Sequence, residues 1–217
     1  MERKSQIDTF GAAALTGFAL LLAFNQVVIK VTNGGLQPIF FAGIRSAGAV
    51  VCIYLWMRWR GIPLQFPPKT ILFGMITGMV FAIEFMLLFI ALDLTTVGRY
   101  GVIFYSMPLW LAILVHFFVA GDRLTSRKAL GLGFAICGVA WAILARDSGK
   151  ANFWGDLAAL GAAIGWAVTA LLAKASPLNK VRPEMQLMWQ VGVSAPILLF
   201  ASLFYGDLIR DLAPIHL

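Results

Sequence analysis

Seven apolar stretches, each about 20 residues long, divide almost the whole chain between them, and about 20 such residues carry an α-helix across the hydrocarbon core of a bilayer. They are Gly11–Val31, Pro38–Trp59, Thr70–Leu92, Val97–Val119, Arg127–Ala145, Trp154–Ala175 and Pro183–Tyr205. Lipid offers no hydrogen bonds to a peptide group, so such segments are read as helices, which satisfy their own backbones. Thr32-Asn33-Gly34-Gly35, Gly61-Ile62-Pro63, Pro67-Pro68 and Asp147-Ser148-Gly149 punctuate the runs, and Ser126 is placed to cap the fifth. The links are short, about 5 to 10 residues, which predicts antiparallel neighbours. The first run is longer than a signal-peptide core and leads into Asn25, Gln26 and Lys30 rather than a cleavage site, so it is read as a retained span.

Composition agrees with this reading. The chain is 60% hydrophobic and 12% charged, against roughly 45–50% and about 25% in globular proteins. A soluble fold, disorder, a collagen-like chain and nucleic-acid binding are excluded on these grounds. Cys52 and Cys137 lie inside apolar runs and make no case for a disulfide or a metal site. The net charge of +7 is read as a topology signal and an attraction to anionic headgroups. Arg3, Lys4, Arg58, Arg60, Lys69, Arg123, Arg127, Lys128, Lys180 and Arg182 fall on one side of the membrane; Arg99, Arg146, Lys150 and Arg210 fall on the other. That bias predicts a cytoplasmic N-terminus and places the tail, residues 206–217, outside.

Shifted by 144 residues, the first span overlays the sixth: Gly11 on Gly155, Ala14 on Ala158, Gly17 on Gly161, Ala19 on Ala163, Ala23 on Ala167 and Lys30 on Lys174. The two spans run in opposite directions, which is the geometry of an inverted repeat. Further signposts are Asn25 to Lys30, Pro38 to Arg45, Ala91 to Arg99, Tyr105-Ser106-Met107-Pro108-Leu109, Gly121-Asp122-Arg123-Leu124 with Gly131, and Trp154-Gly155-Asp156-Leu157 with Ala163 to Trp166. In these residues, nearly end to end and in order, the chain resembles an EamA-type member of the drug/metabolite transporter superfamily.

The resemblance implies an all-α membrane protein built as ten helices in two inverted five-helix repeats. Residues 1–146 are then the first repeat, and 147–217 hold two helices of the second, about three helices short of the full pattern. It implies a secondary carrier, an exporter of small organic metabolites such as amino acids, working by alternating access in a bacterial inner (cell) membrane. The rival expectation is a truncated, non-transporting membrane scaffold or remnant. The expected partners are the lipid bilayer and a small-molecule substrate, with a homodimer or the missing second-repeat helices as further ones; no cofactor and no nucleic acid are expected. With no Walker loop, metal-ligand spacing, dinucleotide turn or nucleophile–base pair in the sequence, an enzyme is not expected. A rhodopsin-like receptor conflicts with the charge bias and with the lack of a lysine in the seventh span.

An ionisable residue inside hydrocarbon is costly, which makes each one a functional candidate. Glu84 lies about eight residues from the outer end of the third span, hence ~12 Å deep at 1.5 Å per residue. Arg45 lies ~10 Å deep in the second span by the same rise. The two are expected to approach each other, with Arg99 as the rival partner of Glu84. Such a pair either fixes helix packing or leaves Glu84 as a cavity carboxylate that binds a substrate amine or takes the coupling proton. His116, near the cytoplasmic end of the fourth span, is either an interfacial residue or a second proton site. Asn25 and Gln26 either join helices or line a cavity. Tyr100, Tyr105 and Ser106 approach Pro108, which is expected to kink the fourth span and make it one cavity wall, with Trp166 and Trp189 on the opposite wall. Lys30 and Lys174 are expected to snorkel toward the headgroups. Trp56, Trp59, Trp141 and Trp154 read as interfacial belt residues. The pairs Gly74/Gly78 and Gly161/Gly165 are expected to pack helices within the chain.

Overall fold

The computed structural model describes residues 9–119, 125–144 and 152–210. Arg3, Lys4, Arg123, Arg146 and Lys150 of the charge argument, and residues 211–217 of the tail, lie outside the described residues. The helices are α1 (Thr9–Thr32), α2 (Pro38–Trp59), α3 (Pro68–Leu94), α4 (Val97–Phe104), α5 (Met107–Phe118), α6 (Ser126–Leu144), α7 (Phe153–Ala175) and α8 (Pro183–Ser202), with a 3₁₀ turn at Pro177–Lys180. Taking α4 and α5 as one broken span, seven among the described residues are long and apolar enough to cross a membrane.

Local chemistry sets the helix ends. Gln37 caps α2 by accepting from the Phe40 amide at 2.8 Å, and Pro38 stands at the first helical position, where its missing N–H is no loss. Past the other end of α2, Gly61 takes φ of 64°, the left-handed conformation that suits glycine. Thr96 caps α4 and Asn152 caps α7 through their side-chain oxygens. The expected kink at Pro108 is a full break: the chain turns at Tyr105 and Ser106, and Pro108 falls in the first turn of α5. The Ser106 hydroxyl donates to the Ile103 carbonyl at 2.6 Å and so serves an acceptor freed by the break.

The spans alternate in direction. At one end, called distal here, α1, α3, α6 and α8 finish and α2, α4 and α7 begin; the proximal end is that of the N-terminus. Helix α3 is the hub, packed against α2, α7 and α8. Ala158, Ala159, Ala162, Ala163 and Ala167 are buried along α7, so its backbone comes close to α3. The central core joins all of these but Ala167 to Phe89, Leu92, Tyr100 and Ile103. Both glycine pairs work inside the chain, as expected. A Cβ on Gly74 or Gly78 would overlap Trp189 or Val193 of α8, and one on Gly161 would stand 2.9 Å from Leu87. Helix α6 has no buried residue, and α1 exposes Leu15, Phe18, Leu20 and Phe24, which is the surface lipid wets.

Candidate functional site

The polar centre lies where α3, α4 and α7 meet. Glu84, ten residues from the end of α3 and so ~15 Å deep, is 2% exposed. It faces α7, where the Thr169 hydroxyl donates to its carboxylate at 3.2 Å. Gly165 makes this approach possible, because a Cβ there would stand 3.0 Å from that of Glu84. Tyr100 is fully buried, stacked on Phe104 with ring centroids 5.1 Å apart, and its hydroxyl has no hydrogen-bond partner.

The expected ion pair of Glu84 is not formed. Arg45 lies on an exposed face of α2, with its guanidinium 5.6 Å from the centre of the Phe85 ring. Residues 84 and 85 point roughly 100° apart around a helix, so Arg45 beside Phe85 is turned away from the carboxylate that faces α7. Arg99, the rival, is held elsewhere: its guanidinium meets Asp156 at 2.8 Å. It also donates to the Ile143 carbonyl at 2.8 Å. Asp156 is 1% exposed, stands in the first turn of α7, where the helix dipole favours an anion, and accepts from Thr95 at 3.1 Å.

The remaining candidates divide between this centre and other places. Tyr105, half exposed, accepts from the Gln26 amide at 3.0 Å and so ties α1 to the break between α4 and α5. Asn25 beside it is half-buried. Ser106 is buried and accepts from the Trp110 indole at 3.0 Å. Trp166 is half-buried against the core, while Trp189 of α8 stands edge-on to Phe66 and leaves its indole N–H without a partner. His116 lies at the far end of α5 from Ser106, against Phe117. Lys30 does not reach for headgroups; it donates to the Asp93 and Thr95 carbonyls at 2.9 and 3.0 Å and closes the end of α3. Among the described residues no cluster of three or more His, Cys, Asp or Glu is placed to hold a metal.

The sequence reading missed Asp156 and Thr169 as partners. Asp156 carried a signal, an acid in the first turn of a span that opens on a capping asparagine. Thr169, a hydroxyl in an apolar helix, carried none.

A helical bundle with seven bilayer-length helices and a buried carboxylate among them defines an integral membrane protein with a polar interior. The chain belongs to the EamA-like transporter family, whose pattern matches residues 9–144. It is also 26% identical, over 190 residues, to the probable amino-acid metabolite efflux pump of Escherichia coli (strain K12), covering 86% of this chain and 60% of that protein. The chain thus spans about 60% of the length of this curated relative. No solved structure matches.

Proposed function

We propose that this chain belongs to a secondary carrier that exports small organic metabolites, amino acids among them, by alternating access, with Glu84 at its binding centre. The observation that carries this reading is a carboxylate buried in mid-span and answered by the Thr169 hydroxyl rather than by an arginine. A structural carboxylate at that depth calls for a charged partner, so one held by a hydroxyl is available to a substrate ammonium or to a coupling proton. Arg45, on the neighbouring helix and likewise outside an ion pair with Glu84, supplies the opposite charge for the carboxylate end of a zwitterion. The buried Tyr100 hydroxyl, which has no hydrogen-bond partner, offers a neutral hydrogen bond beside them. The charge bias along the chain supports a cytoplasmic N-terminus.

Counterflow of a labelled amino-acid mixture into vesicles holding the purified chain tests the reading. Glu84→Gln, folded as shown by an unchanged melting transition, is expected to lower flux at least tenfold. Wild-type flux in that variant removes Glu84 from the function. One observation favours the alternative, a non-transporting membrane scaffold: Arg45 is exposed at a depth where a guanidinium needs a covering surface. That alternative predicts no counterflow above empty vesicles.

A further inference from the structure

At the distal end, polar and directional contacts join residues 9–144 to residues 152–210. Asp156 of α7 takes Arg99 of α4 and Thr95. The Asn152 amide donates to the Leu94 carbonyl at 3.3 Å. Gln37 donates to the Ser202 carbonyl at 2.7 Å. Beyond α8 the chain returns over the α1–α2 turn, where Leu36 pairs with Ile209, and Arg210 reaches Asp93 of α3 at 2.9 Å. At the proximal end Met57 packs against Met185 and Met188, and Phe66 against Trp189. There the Gln186 amide stays in its own half, on the Leu178 and Val181 carbonyls. A cleft of about 490 Å³ opens there, lined by Lys69 and Thr70 from one half and by Ser176, Asn179 and Lys180 from the other.

In a carrier made of two related halves, one half rocks against the other, and a bond between halves at one end breaks when that end opens. We propose that the Arg99–Asp156 and Asp93–Arg210 pairs are the latch of the distal gate, closed in this structure, and that opening the distal end requires both to separate. The inference rests on the carrier reading and on division of the chain near residue 146.

Separation leaves support for each charge in its own half or in water. Arg99 keeps the Ile143 carbonyl, and Asp156 keeps the dipole of the α7 N-terminus. Arg210 and Asp93 have side chains 35% and 19% exposed, within reach of water. A permanent brace has no need of such fallback partners. Lys30, by contrast, bonds Asp93 and Thr95 within its own half and stays closed throughout the motion.

Spin-label distance measurements on the full chain in lipid nanodiscs test this, with Cys52 and Cys137 replaced by Ala. One label pair, Gly98→Cys with Trp154→Cys, spans the distal end at two exposed positions. The other, Lys69→Cys with Asn179→Cys, spans the proximal cleft. Asp156→Asn and Arg210→Gln are each expected to raise the long-distance distal population about tenfold while shortening the proximal distance. The charge swap Arg99→Asp with Asp156→Arg is expected to restore the wild-type distribution. Arg210→Gln alters a partly exposed pair and keeps the test open if Asp156→Asn fails to fold. Unchanged distal distances in the folded variants overturn the latch, and so does broadening at both ends, which marks a brace. These distances need no substrate. A chain that opens on cue but shows no counterflow overturns the carrier reading alone, and one that transports with an unresponsive distal end overturns the latch alone.

Discussion

Gly165 of α7 lies against Glu84 of α3: a Cβ built on the glycine stands 3.0 Å from the Glu84 Cβ and 3.4 Å from its Cα. The hydrogen bond from Thr169, one turn further along α7, depends on that approach. Gly165→Ala asks the helices to shift by a few tenths of an ångström, whereas Gly165→Val forces them apart. The valine variant is expected to lose about 1–3 kcal/mol of stability and most counterflow, and the alanine variant much less. Equal melting temperatures for valine variant and wild type would show that α3 and α7 do not approach so closely.

The α3–α8 contact is less forgiving. A Cβ on Gly78 overlaps the Cβ of Val193 and stands 2.7 Å from the Trp189 carbonyl oxygen, and neither a branched Cβ nor backbone yields easily. Gly78→Ala is therefore expected to cost roughly 1–3 kcal/mol, read as a lower melting temperature in detergent. Adding Val193→Gly, which removes the overlapped Cβ, should recover part of the loss. No recovery in the double variant would argue against this packing.

Gln37 does two jobs with one amide, accepting from the Phe40 amide at 2.8 Å and donating to the Ser202 carbonyl at 2.7 Å. Gln37→Ala removes both bonds and is expected to cost about 1–2 kcal/mol. Gln37→Glu keeps the cap but sets a carboxylate against a carbonyl. It should leave α2 helical while loosening its contact with the end of α8, seen as faster amide exchange at residues 202–206 with little change around Phe40.

Lys30 places its ammonium on the last carbonyls of α3, where the helix dipole is negative. Lys30→Met is expected to destabilise the protein by about 1 kcal/mol, up to ~2 kcal/mol for a partly buried cation at a helix end. Amide exchange is the local check: the last turn of α3 should open faster than its middle. Uniform exchange along α3 in this variant would count against the capping role.

Cys137 sits in the middle of α6 on a face with no buried neighbours. Lipid, not water, is expected to cover it. In intact membranes a charged, impermeant thiol reagent should leave it unlabelled, and a small apolar maleimide should react. Rapid labelling by the charged reagent would place α6 outside the hydrocarbon.

The number and extent of the spans were legible because each run of about 20 apolar residues has one stable solution in lipid, a helix. Pro108 announced the interruption of the fourth span, since proline cannot donate the bond an unbroken helix needs. Glu84 was legible as a candidate because a carboxylate is conspicuous in hydrocarbon. Its partner was not. Counting residues placed Arg45 at a similar depth, but depth says nothing of azimuth, and a helix apolar on every side shows no favoured face in its sequence. The same blindness hid the bond between Arg99 and Asp156, which lie 57 residues apart.

The sequence by itself therefore determined which segments can cross a membrane, because hydropathy and helix length are properties of each segment alone. It also determined the family, through motifs carried along its length. Only the tertiary structure decided which charges are paired, because pairing depends on how each helix is rotated. That rotation is set by the alanines and glycines through which α7 and α8 close on α3, and it turns Glu84 toward Thr169, leaving Arg45 beside Phe85.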